Sequence, residues 1–188
     1  MTWDAFHRRG EVLRAVVAQA DARRDGALPM DVPGVAETFG DEVALLGALQ
    51  LRWHTRLAGH VERRLMDQPT DLESAVLRGW REAAAELAGV RAILDACVEQ
   101  PSSPAMRDML GTANRKDWAL MAAMAGQASP GDARAAAVGR ELERRARAAY
   151  RPRTASAPRQ DRAGRPAGRR RSDTRPNLIG RLLQHLPA

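Results

Sequence analysis

"DEVALLGALQLRWHTRLAGHVERRLM", residues 41–66, is the stretch from which the fold is read. Leu46, Leu49, Trp53, Leu57 and His60 stand 3, 4, 4 and 3 residues apart. That spacing puts side chains on one stripe of a helix. Asp41 precedes the run as a cap whose carboxylate can accept from a free first-turn N–H, and "DQP" from Asp67 ends it. An apolar stripe sustained from Asp41 to Met66 needs helical partners, so the stretch reads as a seam helix of a bundle.

The flanking sequence supplies those partners. Upstream, Trp3, Phe6, Leu13 and Val17 recur at helical spacing, with Val12 and Val16 widening the stripe. Thr2 is a cap and Asp4 lies in the first turn, where negative charge is favourable. Asp25-Gly26 ends this helix, and "ALPMDVPGVAETFG" connects it onward, with one short helical turn after Pro33.

Downstream, "TDLE" at 70–73 has the form of a capping box. Leu72, Val76, Trp80 and Leu87 mark a third helix that continues into "VRAILDACV", kinked or split at Gly89. Ser103-Pro104 opens a fourth, with proline where its missing N–H is harmless. That helix carries Met106, Leu110, Trp118, Met121 and Met124, with "GTANRKD" at 111–117 as a second break. Ser129-Pro130 opens a fifth, rich in Ala and Arg, running to about Tyr150. No segment alternates with period two.

The fold class predicted is all-α: a helical bundle of about five mostly antiparallel helices over residues 1–150. Aromatic residues are only 4% of the chain. The core must therefore be Leu, Val, Ala and Met, with Trp3, Trp53, Trp80 and Trp118 as anchors.

Charge divides the chain sharply. Residues 1–150 carry 20 Lys and Arg against 21 Asp and Glu, a net of −1. Residues 151–188 carry 10 Arg against 2 Asp, a net of +8. The basic isoelectric point belongs to the tail. Lys116 is the only lysine, and arginine in an alanine-rich chain also follows from coding bias, which lowers the weight of any arginine signal.

Cys97 is the single cysteine. It can form no intramolecular disulfide and no cysteine zinc site, and it points to a reducing, cytoplasmic setting. "MTWDAFHRRG" has no apolar core of a secretory signal. No apolar run is long enough to span a membrane.

Sites are sparse. His54 and His60 are six residues apart, about 120° around a helix, and do not share a face as an i, i+4 metal pair would. Neither a Glu-x-x-His pair on two helices nor H-E-x-x-H is present. There is no G-x-S-x-G and no phosphate-binding glycine loop. Cys97 lies beside acids that raise a thiol pKa. No catalytic residue, cofactor or metal site is expected.

The one lead is Asp117. On a continuous fourth helix it shares the stripe of Met106, Leu110, Ala113 and Met124, and a buried carboxylate there needs a partner. His60, at the edge of the seam, is the candidate, with Arg56 or Arg64 as substitutes. A break at Gly111 would instead leave Asp117 in a first turn.

Two other features have plain structural readings. "REAAAELAGVRAILD" resembles a helix-turn-helix in outline, but Val90, Ile93 and Leu94 are apolar where base readout wants polar side chains. "WALMAAMAG" reads as core more than as an adaptable groove.

The tail splits in two. Residues 151–176 have no hydrophobic period and read as a disordered Arg/Pro-rich linker. Arg165, Arg169, Arg170, Arg171 and Arg175 are candidate contacts to nucleic acid or another polyanion, sequence-independent and salt-sensitive. Residues 177–188 read as a short amphipathic interaction helix. Leu178, Ile179, Leu182, Leu183 and Leu186 share an arc of about 140°, and a helix this short needs a surface to rest on. The function this suggests is a non-enzymatic interaction or adaptor protein that docks another protein through that helix. The rival is a nucleic-acid-associated protein held by the arginines.

Overall fold

In the computed structural model the described residues are 3–150 except Pro130, with side chains described from His7 onward. The expectations placed on Thr2, on the side chains of Trp3 and Phe6, and on 151–188 lie outside them.

Among the described residues seven helices form: α1 (Trp3–Arg23), α2 (Val35–Phe39), α3 (Glu42–Met66), α4 (Leu72–Glu86), α5 (Ala88–Glu99), α6 (Pro104–Met124) and α7 (Ala135–Ala148). No strand is present among the described residues. They belong to one unit, Met1–Thr154. No helix there is long and apolar enough to cross a membrane.

The helix starts are chemical. Asp41 accepts from the Ala44 N–H at 2.8 Å. Ser103 accepts from the Met106 N–H at 3.2 Å, with Pro104 in the first turn. At α4 the cap is Asp71, one residue beyond the expected Thr70. Its carboxylate takes both the N–H and the hydroxyl of Ser74, at 3.0 and 2.5 Å. Asp offers two acceptor oxygens where Thr offers one, so the box gives way to it. Ser129-Pro130 does not open α7, which begins at Ala135 after a turn held by Asp132.

Two expected breaks resolve in opposite ways. The third helix is split at Leu87 into α4 and α5. The reason is contact with α1: a Cβ on Gly89 would lie 2.2 Å from the Ala20 carbonyl oxygen. The Gly89 N–H also donates to Asp21 Oδ1 at 2.8 Å. Asp21 on α1 therefore supplies the cap that α5 lacks locally. The fourth helix, by contrast, runs unbroken through Gly111. One glycine inside a helix costs about 1 kcal/mol, less than Met106, Leu110 and Met121 gain by burial on either side.

The core runs along α3. Leu45, Leu46, Leu49, Trp53, Leu57 and Val61 are buried. Trp53 meets Trp80 of α4 edge to face at 5.9 Å, and Trp80 meets Tyr150 likewise at 6.0 Å. Tyr150 donates its hydroxyl to the Ala84 carbonyl at 3.1 Å. Arg56 and Glu86, then Arg64 and Glu82, pair in opposite order along α3 and α4, so the two helices are antiparallel. Trp118 is only half-buried and is not the core anchor expected of it. Its backbone is closed against α7 at Gly139, where a Cβ would come within 1.8 Å of the Trp118 carbonyl oxygen.

Candidate functional site

Asp117 is 5% exposed. Because α6 is continuous, its side chain lies on the apolar stripe and meets α3. Oδ2 accepts from Gln50 Nε2 at 2.8 Å, and Oδ1 lies 2.6 Å from His54 Nδ1. Gln50 and His54 are four residues apart, hence on one face of α3.

His60 is not the partner of Asp117. It lies six residues beyond His54, about 9 Å further along the axis, where α3 meets α4. There His60 Nε2 is 2.6 Å from Glu86, and His60 Nδ1 accepts from Arg63 at 2.8 Å. Arg56 and Arg64, the substitutes, are taken by Glu86 and Glu82. The structure thus separates the expected pair and brings Asp117 together with Gln50 and His54 instead. The signal available was the i, i+4 polar pair Gln50 and His54 beside the seam.

Burial raises the Asp117 pKa, and His54, Arg91 and Gln50 only partly offset it. The carboxylate accepts from both α3 side chains, so the His54 Nδ1–H faces Asp117, and in the neutral imidazole Nε2 is then the acceptor. The His54 side chain is 41% exposed. Among the described residues no hydrogen bond reaches its Nε2. Gln50 Oε1 is buried and also without a partner there.

These groups line an open cleft of about 730 Å³ between α3 and α6. Its apolar wall is Gly47, Leu51, Met109 and Ala113. Leu51 is 66% exposed. A Cβ on Gly47 would meet nothing within 4 Å. Asp108 and Lys116 bring charges of both signs to the lining. Thr112, its one hydroxyl, accepts from Arg115 at 3.0 Å.

A second cleft, about 460 Å³, lies where α5, α6 and α7 meet. Its charges are largely spent on each other. Arg91, 7% exposed, stacks 4.7 Å over Trp53 and pairs with Asp95 at 2.8 Å. Arg147 stacks 5.0 Å over Trp80 and binds both Asp95 and Glu143. Trp118 donates its Nε1–H to Glu143. Burial alone would raise the Asp95 pKa, but the two guanidiniums outweigh it and hold the carboxyl below its ordinary value. This network joins the helices and completes their packing.

The remaining candidates sit in the core or, as Cys97 does, partly buried against it. Val90, Ile93 and Leu94 are no more than 1% exposed, so they present no face to DNA. Met121 is 1% exposed. The Cys97 thiol pKa is raised, first by burial and then by Glu42 rather than by its sequence neighbours. Among the described residues no three His, Cys, Asp or Glu side chains converge as a metal would require.

Neither a protein family model, a curated protein nor a solved structure matches the chain.

Proposed function

We propose that the chain is a non-enzymatic interaction protein of the cytoplasm with two contact regions. One is the α3–α6 cleft of the helical unit. The other is the apolar-faced segment 177–187, carried by the basic linker and docking another protein through Leu178, Ile179, Leu182, Leu183 and Leu186.

The observation that carries the first region is the burial of Asp117 against Gln50 and His54 in a cleft with an apolar wall. An apolar side chain at a helix interface is often at least as stable as a buried charge, so packing alone does not favour Asp117. What it achieves is orientation: it holds the His54 ring by Nδ1, and among the described residues no hydrogen bond reaches Nε2. Thr112, the one hydroxyl of the lining, is hydrogen-bonded to Arg115 and not to His54. That favours binding over group transfer.

A second reading rests on the charge division, net +8 over 151–188 against −1 before it. Here the tail arginines hold nucleic acid or another polyanion through phosphate contacts.

Affinity capture with the full chain, followed by titration of the captured partner, tests both. Docking predicts binding that survives 0.5 M salt, is lost in Leu182→Asp, and is weakened when the cleft wall is changed by Leu51→Asp. Binding lost in moderate salt and untouched by either substitution would overturn docking in favour of the polyanion.

A further inference from the structure

We infer that the α3–α6 cleft takes a small neutral molecule with an apolar body and one hydroxyl group, whose O–H donates to His54 Nε2. The inference rests on reading this cleft as a contact region.

Four observations carry it. At about 730 Å³ the space falls within the range of small-molecule pockets. The open wall at Gly47 meets no neighbour, so that room serves no packing contact. Among the described residues two acceptors of the cleft lack a hydrogen-bond donor, Nε2 of the partly exposed His54 side chain and Gln50 Oε1 in the buried floor, while the charged Asp108 and Lys116 are exposed. Two acceptors without donors select a ligand that donates. Finally, Asp108 and Lys116 are exposed and of opposite sign, and Asp117 is held by Gln50 and His54, so the lining selects an ion of neither sign. A hydroxyl satisfies the acceptor at a much smaller desolvation cost than a charge.

The test titrates 4-propylphenol and its methyl ether, 4-propylanisole, into the full chain. The signal followed is the His54 ring Cε1–H resonance, assigned by its loss in His54→Gln. The two probes share shape and differ in the donor. The phenol is expected to shift that resonance and to bind about five- to tenfold tighter than the ether, the effect of one hydrogen bond. Gly47→Leu fills the open wall and favours the helix more than glycine does, and it should abolish binding of both. His54→Gln should remove the preference for the phenol while the ether still binds.

Equal binding of the two probes overturns the hydroxyl assignment and leaves the cleft as a contact region. No binding of either, or phenol binding untouched by Gly47→Leu, overturns the small-molecule inference altogether. The docking reading is decided separately, by partner capture with Leu51→Asp and Leu182→Asp.

Discussion

Asp117 on α6 and His54 on α3 meet at 2.6 Å across 63 residues of sequence. The pairing has a consequence for the pH dependence of stability. Burial raises the Asp117 pKa above its ordinary 3.8. The folded protein therefore keeps this proton where the unfolded chain has released it. The contribution to stability is full below the unfolded pKa and is lost as pH rises through the folded one. Asp117→Asn removes that titration. Its stability relative to the parent should rise as pH is taken from about 4 to about 7. Urea unfolding of both proteins at the two pH values measures it, and a difference that does not change with pH contradicts it.

The glycines give a second prediction with opposite signs at two sites. A Cβ at Gly139 would fall 1.8 Å from the Trp118 carbonyl oxygen, which is backbone and cannot turn aside. Gly139→Ala must push α6 and α7 apart and should cost about 3 kcal/mol, at the upper end of the usual overpacking range. At Gly47 the same Cβ meets nothing. Gly47→Ala should stabilise by about 0.5–1 kcal/mol through helix propensity alone. Thermal and urea unfolding of the two variants side by side decide it.

These contrasts mark what a linear sequence can and cannot convey. Helix α3 was legible to within about a residue at each end because its stripe and its Asp41 cap are both local. The turn of α2 after Pro33 and the Ser103-Pro104 start of α6 were legible for the same reason. The α4–α5 split was legible only as an ambiguity at Gly89, because what ends α4 there is Ala20 and Asp21, on another helix. At the site, periodicity gives an angle around a helix but no height along its partner. His60 stands near the right angle for an apolar seam, yet it is level with Glu82 and Glu86 of α4. Asp117 is level with Gln50 and His54, and that level is set by how α3 and α6 pack.

Asp95 provides a third prediction. It binds Arg147 at 2.8 and 3.0 Å and Arg91 at 2.8 Å, across α5 and α7. Burial opposes its ionisation, but the arginines outweigh burial and its pKa is lowered. The stability it contributes is present above the unfolded pKa and is lost as pH falls through the folded value. Because the side chain is about one-third exposed, solvent screens part of the effect. Asp95→Asn should cost about 1–2 kcal/mol near neutral pH, and less in acid, where the parent's carboxylate is itself protonated. Equal cost at both pH values in urea unfolding would show that the loss comes from packing rather than charge.

The last prediction concerns a cap supplied across the fold. The start of α5 has no side chain of its own to accept from its first N–H groups. Asp21, 68 residues earlier on α1, accepts from the Gly89 N–H at 2.8 Å. Gly89 is at the same point pressed against Ala20, so the cap and the close approach depend on each other. Asp21→Ala should cost about 1 kcal/mol, as loss of an ordinary cap does. Asp21→Asn keeps an acceptor oxygen and should retain most of the stability. Gly89→Ala forces the helices apart, and once they separate the carboxylate no longer reaches the N–H. The double variant Asp21→Ala with Gly89→Ala should then be less destabilised than the sum of the two single changes. A double-mutant cycle by urea unfolding measures this. Strict additivity would mean that Asp21 stabilises α5 by some route other than the Gly89 amide.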